Sequence, residues 1–284
     1  METTYPARRS ERVPAATYFV GSAIFHYLGP AFAVLLFALV EPLGVAWLRI
    51  AGAALIFAAW RRPWRALTLP LVVAMGTVLA VMNVCFYVAV DRLPLGTVAA
   101  IEFLPVIGLA ALGARTARNG AALALAVGGV YLLTDVQLAV EPVGLAFAFA
   151  NAVLFTLYIV LAHRVAQHGA VAGIDGLAAA MLVAVVVATA LGGWAAVPAL
   201  LSPVALLAGL GVAVTSSVIP YVCDQLAMAR MPRATYALLV SLLPATATVI
   251  GILVLGQIPT LPEAAGVAFV IAGVAVHRDP VQPT

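Results

Sequence analysis

Residues 70–103 read PLVVAMGTVLAVMNVCFYVAVDRLPLGTVAAIEF. An apolar run of about twenty residues ends at Val90, Asp91-Arg92-Leu93 interrupt it, and a second apolar run opens at Pro94. About twenty apolar residues in a helix rise roughly 30 Å, the thickness of the hydrocarbon core of a bilayer. A soluble strand–turn–strand unit needs far shorter runs with polar residues alternating along them. The stretch therefore reads as one membrane-spanning helix, a tight polar turn and the start of the next.

The same pattern fills the chain. Apolar residues make up 65% of the 284 and charged residues only 9%, where a soluble domain carries roughly a quarter charged. Such a composition cannot cover a water-facing surface, so lipid is the solvent, and a lipid bilayer is the first partner implied. Apolar runs are predicted as helices over 17–39, 43–60, 68–90, 94–113, 120–134, 143–162, 174–196, 204–228, 233–255 and 262–277. The breaks hold turn-forming pairs: Glu41-Pro42, Arg62-Pro63, Leu93-Pro94, Asn119-Gly120, Glu141-Pro142, Ser202-Pro203 and Met231-Pro232. The fold class expected is an all-α membrane protein of ten transmembrane helices.

The arginines test this threading. All fourteen basic residues are Arg, and the net charge is only +3. Scattered charge of that size argues against a nucleic-acid partner. With the N-terminus inside, Arg8, Arg9, Arg12, Arg61, Arg62, Arg65, Arg115, Arg118, Arg164, Arg230, Arg233 and Arg278 fall on the inner side, and Arg92 alone on the outer side. Arg49 lies within a helix. That asymmetry obeys the positive-inside rule and places both termini in the cytoplasm. The apolar run after Arg12 is too long for a signal-peptide core and reads as the first spanning helix.

The halves echo each other. Val90-Asp91-Arg92-Leu93-Pro94 precedes one helix, and Met228-Ala229-Arg230-Met231-Pro232 precedes the helix five further on. Small-residue stripes run from Gly120 to Gly129 and from Ala265 to Gly273, on the last helix of each half. The expected division is 1–135 and 136–284. Five is odd, so a second copy must be inverted, an arrangement that places a substrate site between repeats. Gly128, Gly129, Gly209 and Gly211 are expected to let helices approach closely.

A charge at bilayer depth costs about 2.5–3.5 kcal/mol even on a mild scale, so each one asks for a reason. Arg49, Asn83 and Glu102 lie at similar depths below the outer surface, and His26 and Asn151 near the middle. Two readings of Arg49 and Glu102 stand open: a site for a small-molecule substrate, or a buried ion pair that only fixes helix packing. Pro105, three residues after Glu102, frees a backbone carbonyl in the preceding turn, which favours a wet cavity there. His26, before Gly29-Pro30, either relays a coupling proton or bonds to a neighbouring helix. Tyr87 joins the candidate binding set. Asp224, with Ser216, Tyr221 and Ser241, forms a set of coupling or gating candidates; Asp224 pairs with Arg230 or sits at a solvated helix end. Tyr18, Tyr27, Tyr87, Trp47, Trp60, Trp64 and Trp194 read mostly as interfacial aromatics.

Enzyme signatures are missing: neither a P-loop, nor Gly-x-Ser-x-Gly, nor His-Glu-x-x-His occurs, and the loops are too short for a catalytic domain. Cys85 and Cys223 thread near opposite faces, and no Cys/His spacing suits a metal, so no cofactor is expected. A channel would require a ring-forming filter sequence, which is not seen. A non-transporting membrane protein remains the reading from another class.

Gly44-Val45-Ala46-Trp47-Leu48-Arg49, Arg62-Pro63-Trp64-Arg65, Met82-Asn83-Val84-Cys85-Phe86-Tyr87 and the run Leu93 to Phe103 resemble the ten-helix EamA-type branch of the drug/metabolite transporter superfamily. In the second half, Pro220-Tyr221, Asp224 and Ala229-Arg230-Met231-Pro232 are similar to it too. The chain departs from the pattern at Leu243 and Gln257, where acidic residues are usual, and at Asp224, where a longer Glu is. The resemblance implies two EamA-like repeats in the cytoplasmic (inner) membrane of a bacterium. It implies a secondary transporter exporting small metabolites, amino acids such as threonine or homoserine foremost, by alternating access. A broader drug or metabolite carrier is the alternative.

Overall fold

The computed structural model describes residues 15–113, 116–138, 141–167, 173–228 and 243–276. Ten principal helices run through them: α1 Ala15–Leu36, α2 Pro42–Arg61, α3 Pro70–Arg92, α4 Leu95–Gly113, α5 Ala117–Leu138, α6 Pro142–Gln167, α7 Gly173–Gly192, α8, α9 Leu243–Leu255 and α10 Leu261–Val276. α8 joins an α-helical stretch Pro203–Ala213, a π-helical turn Val214–Val218 and a second α-helical stretch Ile219–Met228. No strand occurs among the described residues. Six helices (α1, α2, α3, α6, α7 continued to Leu200, and α8) are long and apolar enough to cross a membrane, and four shorter apolar segments lie in α4, α5, α9 and α10. The architecture is an all-α membrane protein, as the spacing predicts; the predicted start of the ninth helix lies outside the described residues.

The punctuation sets the helix ends. Pro42, Pro70, Pro142 and Pro203 each stand first in a helix, where the missing N–H loses nothing and the fixed φ already suits the helix. Ser202 caps α8 by accepting from the Ala205 amide at 3.3 Å. Glu263 reaches back to Thr260, accepting from its amide at 2.7 Å and its hydroxyl at 2.8 Å, a capping box that fixes the start of α10. α2 stops at Arg62, whose φ of 49° is left-handed and precedes Pro63, which disfavours helix in the residue before it.

Neighbour relations repeat with a shift of five helices. α3 packs on α6 and α7, and α8 packs on α1 and α2; α4 packs on α6, and α9 on α1. The pairs α2–α7, α4–α9 and α5–α10 each map onto themselves. At the α5–α10 crossing, a Cβ on Gly266 would meet the Gly129 carbonyl at 2.9 Å, and one on Gly129 would press on the Gly266 carbonyl. Only glycine permits that backbone-to-backbone approach. Gly209 likewise admits Leu48 of α2. Gly128 and Gly211 correct the expectation for this group: among the described residues, a Cβ on either meets nothing within 4 Å. α2 and α7 are tied at two places. Arg61 Nε pairs with Asp175 at 2.7 Å, and Trp47 Nε1 donates to Thr189 Oγ1 at 2.7 Å.

Tyr27 and Tyr87 also correct the sequence reading. They are 1% and 0% exposed, among the largest fully buried side chains, while Trp60, Trp64 and Trp194 are more than half exposed. Tyrosine at an interface keeps its hydroxyl wet; these two place it inside the bundle.

Candidate functional site

One cavity gathers residues from six helices. His26 of α1, Arg49 of α2, Asn83 of α3, Glu102 of α4, Asn151 of α6 and Tyr221 of α8 all line it, around a narrow space of about 40 Å³. Helices of both halves contribute. Tyr27, Pro30, Met82, Phe86, Phe155 and Tyr158 complete the wall. Of these, Met82, Phe86 and Phe155 are apolar.

Asn83 acts first on the frame. It is 4% exposed, and its Nδ2 donates to the Ala46 carbonyl at 3.1 Å. This pins α3 to the turn of α2 that leads into Arg49. Glu102 is 6% exposed and Asn151 1%. Asn151 Nδ2 donates to Glu102 Oε1 at 3.1 Å, so α4 and α6 meet through a polar pair inside the bundle. With its NH₂ turned to Glu102, Asn151 presents its Oδ1 without a partner.

Arg49 does not pair with Glu102; among the described residues no salt bridge joins them. Instead Arg49 Nε donates to Ser217 Oγ at 3.0 Å, and Nη2 donates to the Ser216 carbonyl at 3.0 Å. That carbonyl is available for a local reason. Pro220, four residues on, has no N–H to return to it, and the Val214–Val218 turn is π-helical, with the Ile219 amide bonding back to Val214. Turns of this kind recur at functional sites. The guanidinium carbon lies 5.7 Å from the centre of the Tyr87 ring, a cation–π distance. Tyr87 thus supports Arg49 from behind rather than lining the cavity. Gly29 of α1 brings that helix against the same turn: a Cβ there would lie 2.6 Å from the Ser216 amide nitrogen.

Buried polar groups in proteins are nearly all hydrogen-bonded. Among the described residues, Tyr27 Oη and Asn151 Oδ1 are two such side-chain atoms that have no partner. Tyr27 and Asn151 line the cavity; Tyr87 and Ser216 flank Arg49.

The expected set thus divides. His26, Arg49, Asn83, Glu102, Asn151 and Tyr221 come together at the cavity, and Tyr87 and Ser216 stand behind Arg49. The Asp224 side chain and all of Ser241 lie outside the described residues. Sequence reasoning missed Ser217 as Arg49's acceptor. The signal was present: Ser216-Ser217 followed by Pro220 marks an unpaired carbonyl with a hydroxyl beside it, and a cation at matching depth satisfies both.

Residues 142–277 match the EamA-like transporter family. The chain is 32% identical over 258 residues to the threonine/homoserine exporter RhtA of Escherichia coli (strain K12), across 86% of this chain and 84% of that protein. It is 31% identical over 271 residues to the threonine/homoserine exporter RhtA of Salmonella typhimurium (strain LT2), across 89% and 88%. One solved crystal structure shares the fold at a TM-score of 0.61 and 20% identity, covering 92% of this chain and 97% of the other.

Proposed function

We propose that this chain, which belongs to the EamA-like transporter family, is a secondary exporter that carries small amino acids through the cavity between its halves. The observation that carries this reading is the meeting of Arg49, Glu102 and the unpartnered Asn151 Oδ1 at one cavity. An amino acid brings a carboxylate and an ammonium. Arg49 suits the first through paired N–H donors. Glu102 and the free Oδ1 of Asn151 suit the second, which has three donors and no acceptor. The relatives named for threonine and homoserine export agree with this class.

The halves 1–135 and 136–284 act as two inverted repeats in this account. The five-helix shift in neighbour relations supports it, and an odd helix number inverts the second copy. Alternating access then follows as one half rocks against the other around the shared cavity. The arginine asymmetry places both termini on the cytoplasmic side of a bacterial inner membrane. A proton is the proposed coupling ion, with His26 and Glu102 facing the cavity as its carriers. The second reading, a broader metabolite or drug carrier, draws on the apolar lining residues Met82, Phe86 and Phe155, since an unbranched Met side chain adapts to varied neighbours.

Competition in vesicles tests the proposal. Unlabelled L-threonine and L-homoserine should block transport of labelled L-threonine, whereas threoninamide and N-acetylthreonine, each lacking one charge, should block it poorly. Equal block by all four would refute recognition of the zwitterion.

A further inference from the structure

Arg49 is a part-buried cation whose hydrogen bonds, among the described residues, go to neutral acceptors. Nε and Nη2 are spent on Ser217 Oγ and the Ser216 carbonyl, and among the described residues no carboxylate forms a salt bridge with it. A guanidinium has five N–H donors in one plane. Two are used here, both on the same edge. The opposite end, Nη1 with the second hydrogen of Nη2, keeps the parallel pair of donors that a carboxylate accepts. That free end is a ready site for a carboxylate.

We infer that Ser217, together with the Ser216 carbonyl released by Pro220, is a positioning element: it holds one edge of the Arg49 guanidinium so that the other end meets the substrate carboxylate. Three contacts fix the direction. Asn83 ties α3 to the Ala46 carbonyl at 3.1 Å, one turn before Arg49. The Tyr87 ring underlies the guanidinium at 5.7 Å. α8 supplies the two acceptors, and Gly29 holds α1 against their turn. Arg49 comes from the first half and the acceptors from the second, so its direction depends on how the halves sit. Ser217 touches no substrate in this scheme. It acts through Arg49, and the inference rests on the amino-acid reading above.

The test is transport by full-length protein in vesicles, with labelled L-threonine as substrate and L-threonine or L-threoninamide as competitor. Ser217→Ala should raise the KM for L-threonine by about tenfold or more, the size of one hydrogen bond to a charged group. Its maximal rate should fall much less, and block by threoninamide, which has no carboxylate, should stay within about twofold. Ser217→Thr, which keeps the hydroxyl, should restore the wild-type KM. If Ser217→Ala fails to fold, Pro220→Ala decides: its new N–H competes for the Ser216 carbonyl and should produce the same selective loss. Equal loss for both compounds would mean that Ser217 only staples α8 to α2, and the inference falls. Unchanged preference for the carboxylate in these variants would overturn it as well. A wild-type protein with no such preference would instead overturn the amino-acid reading beneath it.

Discussion

Replacing Glu102 by Gln separates a binding role from a packing role. The structure sets the expected cost on each side. Glu102 meets Asn151 Nδ2 at 3.1 Å and forms no salt bridge with Arg49, whose bonds go to Ser216 and Ser217. A glutamine oxygen can keep the Asn151 bond. The exchange trades a bond to a charged group for a neutral one, a loss of about 1 kcal/mol, while easing the desolvation of a carboxylate. The melting temperature should move by no more than about 4 °C. Transport should suffer far more, because a buried partner for the substrate ammonium is gone. Truncating such a pair costs about 2–5 kcal/mol, a loss of roughly thirty- to several-thousand-fold in apparent affinity. Melting of the purified protein and uptake by vesicles, measured on one preparation, check both numbers. Normal transport with a melting point lowered by ten degrees or so would refute the reasoning and make Glu102 a packing residue.

Two further outcomes follow from packing and topology. Gly29→Val should destabilise the protein by about 1–3 kcal/mol through overpacking, because a Cβ at that position lies 2.6 Å from the Ser216 nitrogen. Gly211→Ala, which faces open space, should leave the melting point unchanged or slightly higher. Tags at either terminus should resist protease added from the periplasmic side and yield to it only after the membrane is opened; cleavage of either tag in intact spheroplasts would contradict the arginine-based topology.

The sequence made depth legible but not direction. Proline and charged punctuation located the helices, since a spanning helix must hold an apolar run of fixed length and end where polar residues resume. The common depth of Arg49, Asn83 and Glu102 was readable by counting residues, and all three meet one cavity. Rotation about the helix axis was not readable. Helices in lipid are apolar all round, so no polar face marks the inside. For that reason Tyr27 and Tyr87 read as interfacial yet lie buried, and Gly128 reads as a contact residue yet a Cβ there would meet nothing within 4 Å among the described residues. Nor could depth choose between Glu102 and the Ser216–Ser217 turn as the partner of Arg49. The Pro220 effect on the Ser216 carbonyl was the local chemistry that decided it.

Efflux of a labelled amino-acid panel from vesicles carrying the purified protein tests the central claim most directly. Export of L-threonine and L-homoserine should run well above that of protein-free vesicles and be lost in Arg49→Gln. Efflux of the whole panel at the rate of protein-free vesicles would contradict it.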